Sequence, residues 1–207
     1  MGKLTYLVIH TSDTPFNREV TPDDIAMWHL GALKNSDGTY TYLGKKITKK
    51  VLDTEYLTLP SGKKIKANQT VGRGWSVTGY ADMIQRNGKL INLNPYDFDE
   101  KIDQWEVTNG VAGKNSVSRN IVLVGGWSAD GKIKNGHVNG DMKKPYLNIK
   151  DLYTTEQIQS LVDYVNMQLE VQPDLIVCGH NQLSTKTCPN FWVPDFIKEY
   201  NIKARTL

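Results

Sequence analysis

Leu4-Thr5-Tyr6-Leu7-Val8-Ile9-His10-Thr11-Ser12 begins as a short apolar, β-prone run and ends in polar side chains. Residues 4–9 are predicted to form a buried strand that delivers His10 at its carboxyl end. Open α/β sheets place their chemistry at that end. A second run, Asn120-Ile121-Val122-Leu123-Val124 closed by Gly125-Gly126, has the continuous apolar character of a buried strand. Leu175-Ile176-Val177 leads into a turn at Cys178-Gly179-His180. Because strand patterns alternate with helical ones, the fold class is α/β. It has a central mixed β-sheet flanked by helices, with His10 and His180 at strand ends that can meet on one edge.

The helical patterns carry their own start signals. Thr21 is an N-cap before Pro22 and two acids, and the helix it opens is predicted to end near Gly31. Thr154 and Gln157 have capping-box spacing, followed by Ile158, Leu161, Val162, Val165 and Leu169 at helical intervals, with Pro173 as the stop. A last helix begins around Pro194 and buries Phe196, Ile197 and Tyr200. Residues 75–93 are predicted as two strands around a type I′ turn at Asn87-Gly88, with Tyr80 and Asp82 on one face. Between residues 31 and 74 short β-prone pieces broken by Asp37-Gly38 and Ser61-Gly62 suggest an inserted β-hairpin region.

At 207 residues, 39% hydrophobic and 23% charged, the chain has an ordinary globular composition and one domain is the default. The net charge of +3 argues for neither a nucleic-acid nor a membrane partner. Its distribution is uneven: eight lysines and Arg73 against Asp37, Asp53 and Glu55 make residues 31–73 a lysine-rich insertion of +6, leaving −3 elsewhere. No apolar run approaches a transmembrane span, and the amino terminus lacks the pattern of a secretory signal. A monomer is the expectation.

The segment Gly179-His-Asn-Gln-Leu-Ser-Thr-Lys-Thr-Cys-Pro189 holds an imidazole, a thiol and the Lys186 cation within eleven residues. His180 and Cys188 are both good Zn²⁺ donors, although eight residues is wider spacing than in standard zinc motifs. A hydrogen-bonded histidine at a strand end is the alternative reading of His180. With His10 added, two imidazoles and a thiolate would leave a fourth tetrahedral position for water, as a catalytic zinc site requires. Cys178 and Cys188 allow a disulfide; the metal reading instead makes Cys178 a buried strand residue and Cys188 a thiolate.

Several ordered pieces resemble the type 2 N-acetylmuramoyl-L-alanine amidases, the zinc family that includes amidase-type phage lysozymes and peptidoglycan recognition proteins. They are Val8-Ile-His10-Thr-Ser, Ile25-Ala-Met-Trp28-His29, Gly74-Trp75 with Gly79-Tyr80, Gln85-Arg-Asn-Gly88, Leu123-Val-Gly-Gly126, and Gly179-His180 through Lys186-Thr-Cys188-Pro189. The resemblance implies Zn²⁺ held by His10, His180 and Cys188, with Tyr80 and Lys186 as catalytic side chains. It implies hydrolysis of the amide between N-acetylmuramic acid and the L-alanine of the stem peptide. A phage or prophage endolysin, reaching the wall through a holin pore, would do this. The alternatives are a cytoplasmic muropeptide-recycling amidase and a non-catalytic peptidoglycan-binding protein; Cys188 speaks against the last.

The chain departs from the family in places. The strand at residues 121–123 has no carboxylate where some members carry a glutamate, so the proton shuttle is unassigned. Ala81-Asp82 replaces a histidine and an aromatic after Tyr80, and a further family histidine falls near Gly110 or Val111. Considered alone, Tyr80 reads as a hairpin aromatic on the core and Lys186 as a surface lysine. His29 is expected to pack or cap within its helix, and His137 to be exposed. Trp75, Trp127 and Trp192 offer sugar-stacking surfaces, or core packing. The lysine-rich insertion could meet wall carboxylates or nucleic acid; a solvated face is the ordinary role of such a charge run.

Overall fold

The computed structural model describes residues 2–134, 137–138, 141–142 and 147–207, with side chains outside 135–146. Two compact units emerge, one formed by Met1–Glu19 with Tyr80–Leu207 and the other by Val20–Gly79.

In the first unit a five-stranded sheet runs in the order Ile176–Gly179, Tyr6–Thr11, Ser118–Leu123, Asp82–Ile84, Leu90–Asn92. The first four strands are mutually parallel and the last is antiparallel, so the sheet is mixed. Leu7, Ile9, Ile121 and Leu123 face the helix Thr155–Val171, where they meet Leu161, Tyr164 and Val165 in the main core. Val8 and Cys178 project to the opposite face with Val111. Period-two alternation along strands buried on both sides gives each face its own apolar set.

The Thr154–Gln157 capping box is present. Gln157 does more than cap. Fully buried, its side-chain amide donates to the carbonyl of Val124 at 2.8 Å, tying the helix start to the carboxyl end of a central strand. The helix Val193–Glu199 buries Phe196 and Ile197, as the pattern implies, whereas Tyr200 falls at its C-cap and is only half-buried.

The hairpin Asp82–Ile84 with Leu90–Asn92 is shorter than the sequence suggests, and its turn differs from type I′. Gly88 N–H donates to Gln85 O and only Gly88, not Asn87, has positive φ (80°). This is a tight turn closed by a left-handed glycine, one of the longer hairpin loops. Tyr80 precedes the strand, so alternation does not extend to it. Asp82 faces the helix, where it accepts from Tyr164, while Tyr80 packs on His10 on the other side. Residues 127–153 contain a small antiparallel sheet of Ile133–Lys134, His137–Val138 and Asp141–Met142. The expected exposure of His137 concerns a side chain outside the described ones.

The second unit starts with the helix Pro22–Leu30, capped by Thr21 and Asp24 as a capping box. Residues 31–73 hold the expected strand pieces Tyr40–Tyr42 and Tyr56–Thr58 within two antiparallel ribbons, together with the unpredicted short helix Lys49–Leu52. Each ribbon covers a small apolar cluster: Ala32, Tyr42, Leu52 and Ala67 under one, Ala26, Leu57 and Leu59 under the other. The segment 72–75 closes the unit on the helix end, donating from Arg73 N–H to Trp28 O and from Trp75 N–H to His29 O. Gly74, with φ of 68°, belongs here because a Cβ would collide with the Thr41 carbonyl.

Candidate metal centre

Strand register brings the two histidines together. Ile176–Gly179 pairs with Tyr6–Thr11 so that Gly179 stands opposite Ile9. The next residue of each chain segment is therefore His180 or His10, and their ring centroids lie 4.7 Å apart. His180 begins the short helix His180–Leu183 where the sequence suggests a simple turn.

Cys188 arrives on a loop held from several sides. Its carbonyl accepts from Asn181 N–H at 2.6 Å, and Asn190 N–H donates to Thr187 O. The Asn181 carboxamide donates to the carbonyls of Thr187 and Phe191, and the hydroxyl of buried Tyr153 donates to Pro189 O at 2.9 Å. Cys188 Sγ then receives the Thr11 N–H at 3.3 Å and lies 3.6 Å from His10 Nδ1. The three predicted donors converge: ligand atoms of His10, His180 and Cys188 all lie within 4.8 Å of one another.

The donor set fits a zinc ion. Burial, with a smaller contribution from the Lys186 cation, pushes His180 down to about 4, so it is neutral at physiological pH, the form that ligates a metal. Burial pushes the Cys188 thiol up to about 12. A divalent cation beside sulfur reverses that balance, because a coordinating thiol gives up its proton. Two imidazoles at strand ends and a thiolate from the adjoining loop are a borderline-soft site of the kind that suits Zn²⁺ over Mg²⁺ or Ca²⁺. Cys178 is free, fully buried and two residues before His180, level with Val8 and not with His10; the disulfide alternative is not realised.

Tyr80 lies against the centre, its ring centroid 5.2 Å from that of His10. Lys186 is exposed two residues before Cys188, and its charge reaches both His180 and Cys188. His29 belongs to the Val20–Gly79 unit, where its Nδ1 accepts the Gly79 N–H and its ring packs on Trp75 at 5.0 Å. Trp127 Nε1–H donates to Asp13, which fixes that ring by a hydrogen bond.

Residues that the sequence reading passed over surround His10. Asn120 is fully buried, and its Oδ1 lies 2.9 Å from His10 Nε2. A polar residue immediately before the apolar run 121–124 was the available signal. At Gly110 a Cβ would collide with the Asn120 carboxamide, so the space there is filled from the strand.

No protein-family model matches the chain. It is 27% identical over 143 residues to an endolysin of Enterobacteria phage K11, a match covering 64% of this chain and 79% of that protein. Its structure is similar to the N-acetylmuramoyl-L-alanine amidase LysC from Clostridium intestinale, with a TM-score of 0.53 and 16% identity over 97% of this chain and 87% of that one. It is also similar to the bumblebee peptidoglycan recognition protein PGRP-SA, with a TM-score of 0.50 and 12% identity over 98% and 84%. The chain thus has the fold shared by amidase endolysins and peptidoglycan recognition proteins. Within that fold, its sequence similarity is to a phage endolysin.

Proposed function

We propose that the chain is a zinc-dependent peptidoglycan amidase, acting as a phage or prophage endolysin, that hydrolyses the amide between N-acetylmuramic acid and L-alanine. The observation that carries this reading is the convergence of His10, His180 and Cys188 at the carboxyl edge of the parallel strands. Similarity to the K11 endolysin and to LysC supports the hydrolase over a binding-only role. The ligands and their neighbours all fall in the unit formed by Met1–Glu19 and Tyr80–Leu207, which supports one catalytic domain to which residues 31–73 are an addition. Among the described residues no helix is long and apolar enough to cross a membrane.

A Zn²⁺ ion in this site would supply Lewis acidity and lower the pKa of water toward neutrality. The chain supplies the rest. His10, His180 and Cys188 would hold the ion. Tyr80, packed on His10, offers a phenol to orient water or donate to the tetrahedral oxygen, and Lys186 offers a cation where negative charge develops on the scissile carbonyl. No carboxylate stands on the Ser118–Leu123 strand to act as a base.

Metal analysis combined with mass spectrometry of digested peptidoglycan, on wild type and Cys188→Ala, tests this. The wild type should carry about one zinc and release free stem peptides beginning with L-alanine, and the variant should do neither. A variant that keeps metal and activity would refute the site. Zinc-loaded wild type that binds muropeptide without cleaving it would point to recognition alone, and cleavage of soluble fragments but not intact sacculi would point to recycling.

A further inference from the structure

We propose that Asn120 is a positioning residue for the metal centre, holding His10 in the tautomer whose Nδ1 carries the lone pair, and that Gly110 lacks a side chain to make room for it. This rests on the reading of His10 as a metal ligand.

A neutral imidazole has two tautomers, and only one presents an acceptor at a given nitrogen. Nδ1 of His10 faces the Cys188 sulfur at 3.6 Å, on the side of the ligand cluster. For Nδ1 to donate its lone pair to a metal, the proton must sit on Nε2. That nitrogen is 2.9 Å from Asn120 Oδ1 in a contact buried on both sides. Parallel register explains the meeting: Asn120 stands opposite Val8 and His10 opposite Val122, so both side chains leave the same face one pleat apart.

The carboxamide is itself held. Its Nδ2 donates to Thr108 Oγ1 at 3.0 Å and to Ser118 Oγ at 3.3 Å, which occupies both N–H groups and leaves the oxygen for His10. All four residues are almost fully buried, so water does not compete for these bonds. A side chain at residue 110 would displace the amide, since even a methyl there overlaps Asn120 Cγ and Oδ1. Groups that fix a ligating histidine from its far nitrogen change metal affinity about 10–100-fold when removed.

The test uses the full chain and three variants, Asn120→Ala, Gly110→Ala and Asn120→Asp. Zinc affinity is measured by chelator competition, and the His10 tautomer by ¹⁵N NMR of the metal-free protein. Wild type should show the Nε2–H form. Both alanine variants should mix tautomers and bind zinc about 10–100-fold more weakly. Asn120→Asp keeps an acceptor and should restore affinity to within a few-fold of wild type. If Asn120→Ala fails to fold, Gly110→Ala and Asn120→Asp decide the matter. Unchanged zinc affinity in the alanine variants, or an Nδ1–H form in wild type, overturns the inference. A wild type that takes up no zinc overturns the function proposed above, whereas zinc uptake independent of Asn120 overturns this inference alone.

Discussion

The hydroxyl of Tyr164 donates to the Asp82 carboxyl group at 2.7 Å, joining the long helix to the sheet through a buried acid. Asn92 Nδ2 donates to the other carboxylate oxygen at 2.9 Å. Burial raises the Asp82 pKa above the ordinary carboxylate value, while these hydrogen bonds oppose the shift. A folded pKa above the unfolded one means that the native state holds the proton more tightly. The contribution of Asp82 to stability is therefore complete below the unfolded value and is lost as pH rises through the folded one. Tyr164→Phe removes a donor to the ionised form, so it should destabilise by about 1–3 kcal/mol at neutral pH and by less near pH 4. Urea unfolding of both proteins at the two pH values checks this; an equal loss at each would contradict it.

His29 titrates in the opposite sense. Burial, followed by the Arg73 charge, lowers it from 6.5 to about 4, and its Nδ1 accepts the Gly79 N–H, which a protonated ring cannot do. The unfolded state thus takes the proton first, and stability present above pH 6.5 should decline as pH falls toward 4. The loss is at most about 3 kcal/mol from the shift. The protection factors of the Gly79 and Trp75 amides, exchange rates corrected for the intrinsic pH dependence, should fall over that range in wild type. A His29→Gln variant should lack this pH dependence.

Zinc should stabilise the native chain by mass action. At a free concentration a hundredfold above Kd the gain is about 2.7 kcal/mol, which for a chain of this size raises Tm by roughly 5–10 °C. Calorimetry with and without chelator should show that shift in wild type and none in Cys188→Ser or His10→Ala. A full shift in either variant would mean the ion binds elsewhere.

Tyr80 and Lys186 should separate from the ligands kinetically. Tyr80→Phe and Lys186→Met are each expected to retain stoichiometric zinc while kcat falls about 10²–10³-fold, the usual effect of losing one group that meets developing negative charge. KM should change little. Loss of zinc in either variant would assign that residue to holding the site instead.

The chain's own pattern was enough for much of the architecture. Continuous apolar runs ending at His10, Val124 and Cys178 mark three of the four parallel strands, and Thr21 and Thr154 mark the two helix starts they cap. These are local signals, readable because period and capping act within a few residues. In the Val20–Gly79 unit Tyr40–Tyr42 and Tyr56–Thr58 were legible, but partner strands such as Leu33–Lys34 and Lys64–Lys66 were not, since two or three residues carry too little alternation to register. Tyr80 and Asp82 do not share a face as expected, because the strand begins only at Asp82 and the segment before it is irregular.

By itself the sequence determined the donor types at the candidate centre, an imidazole at 10, an imidazole at 180 and a sulfur at 188, along with the strand that carries the first. What only the tertiary structure decided is which atoms face one another. Gly179 paired with Ile9 sets the two imidazoles side by side, the bonds of Asn181 and Tyr153 bring Cys188 to them, and Asn120 meets His10 from a strand 110 residues away in sequence. Such contacts depend on register between distant strands, which fixes both the face and the neighbour of every side chain, and no local pattern encodes it.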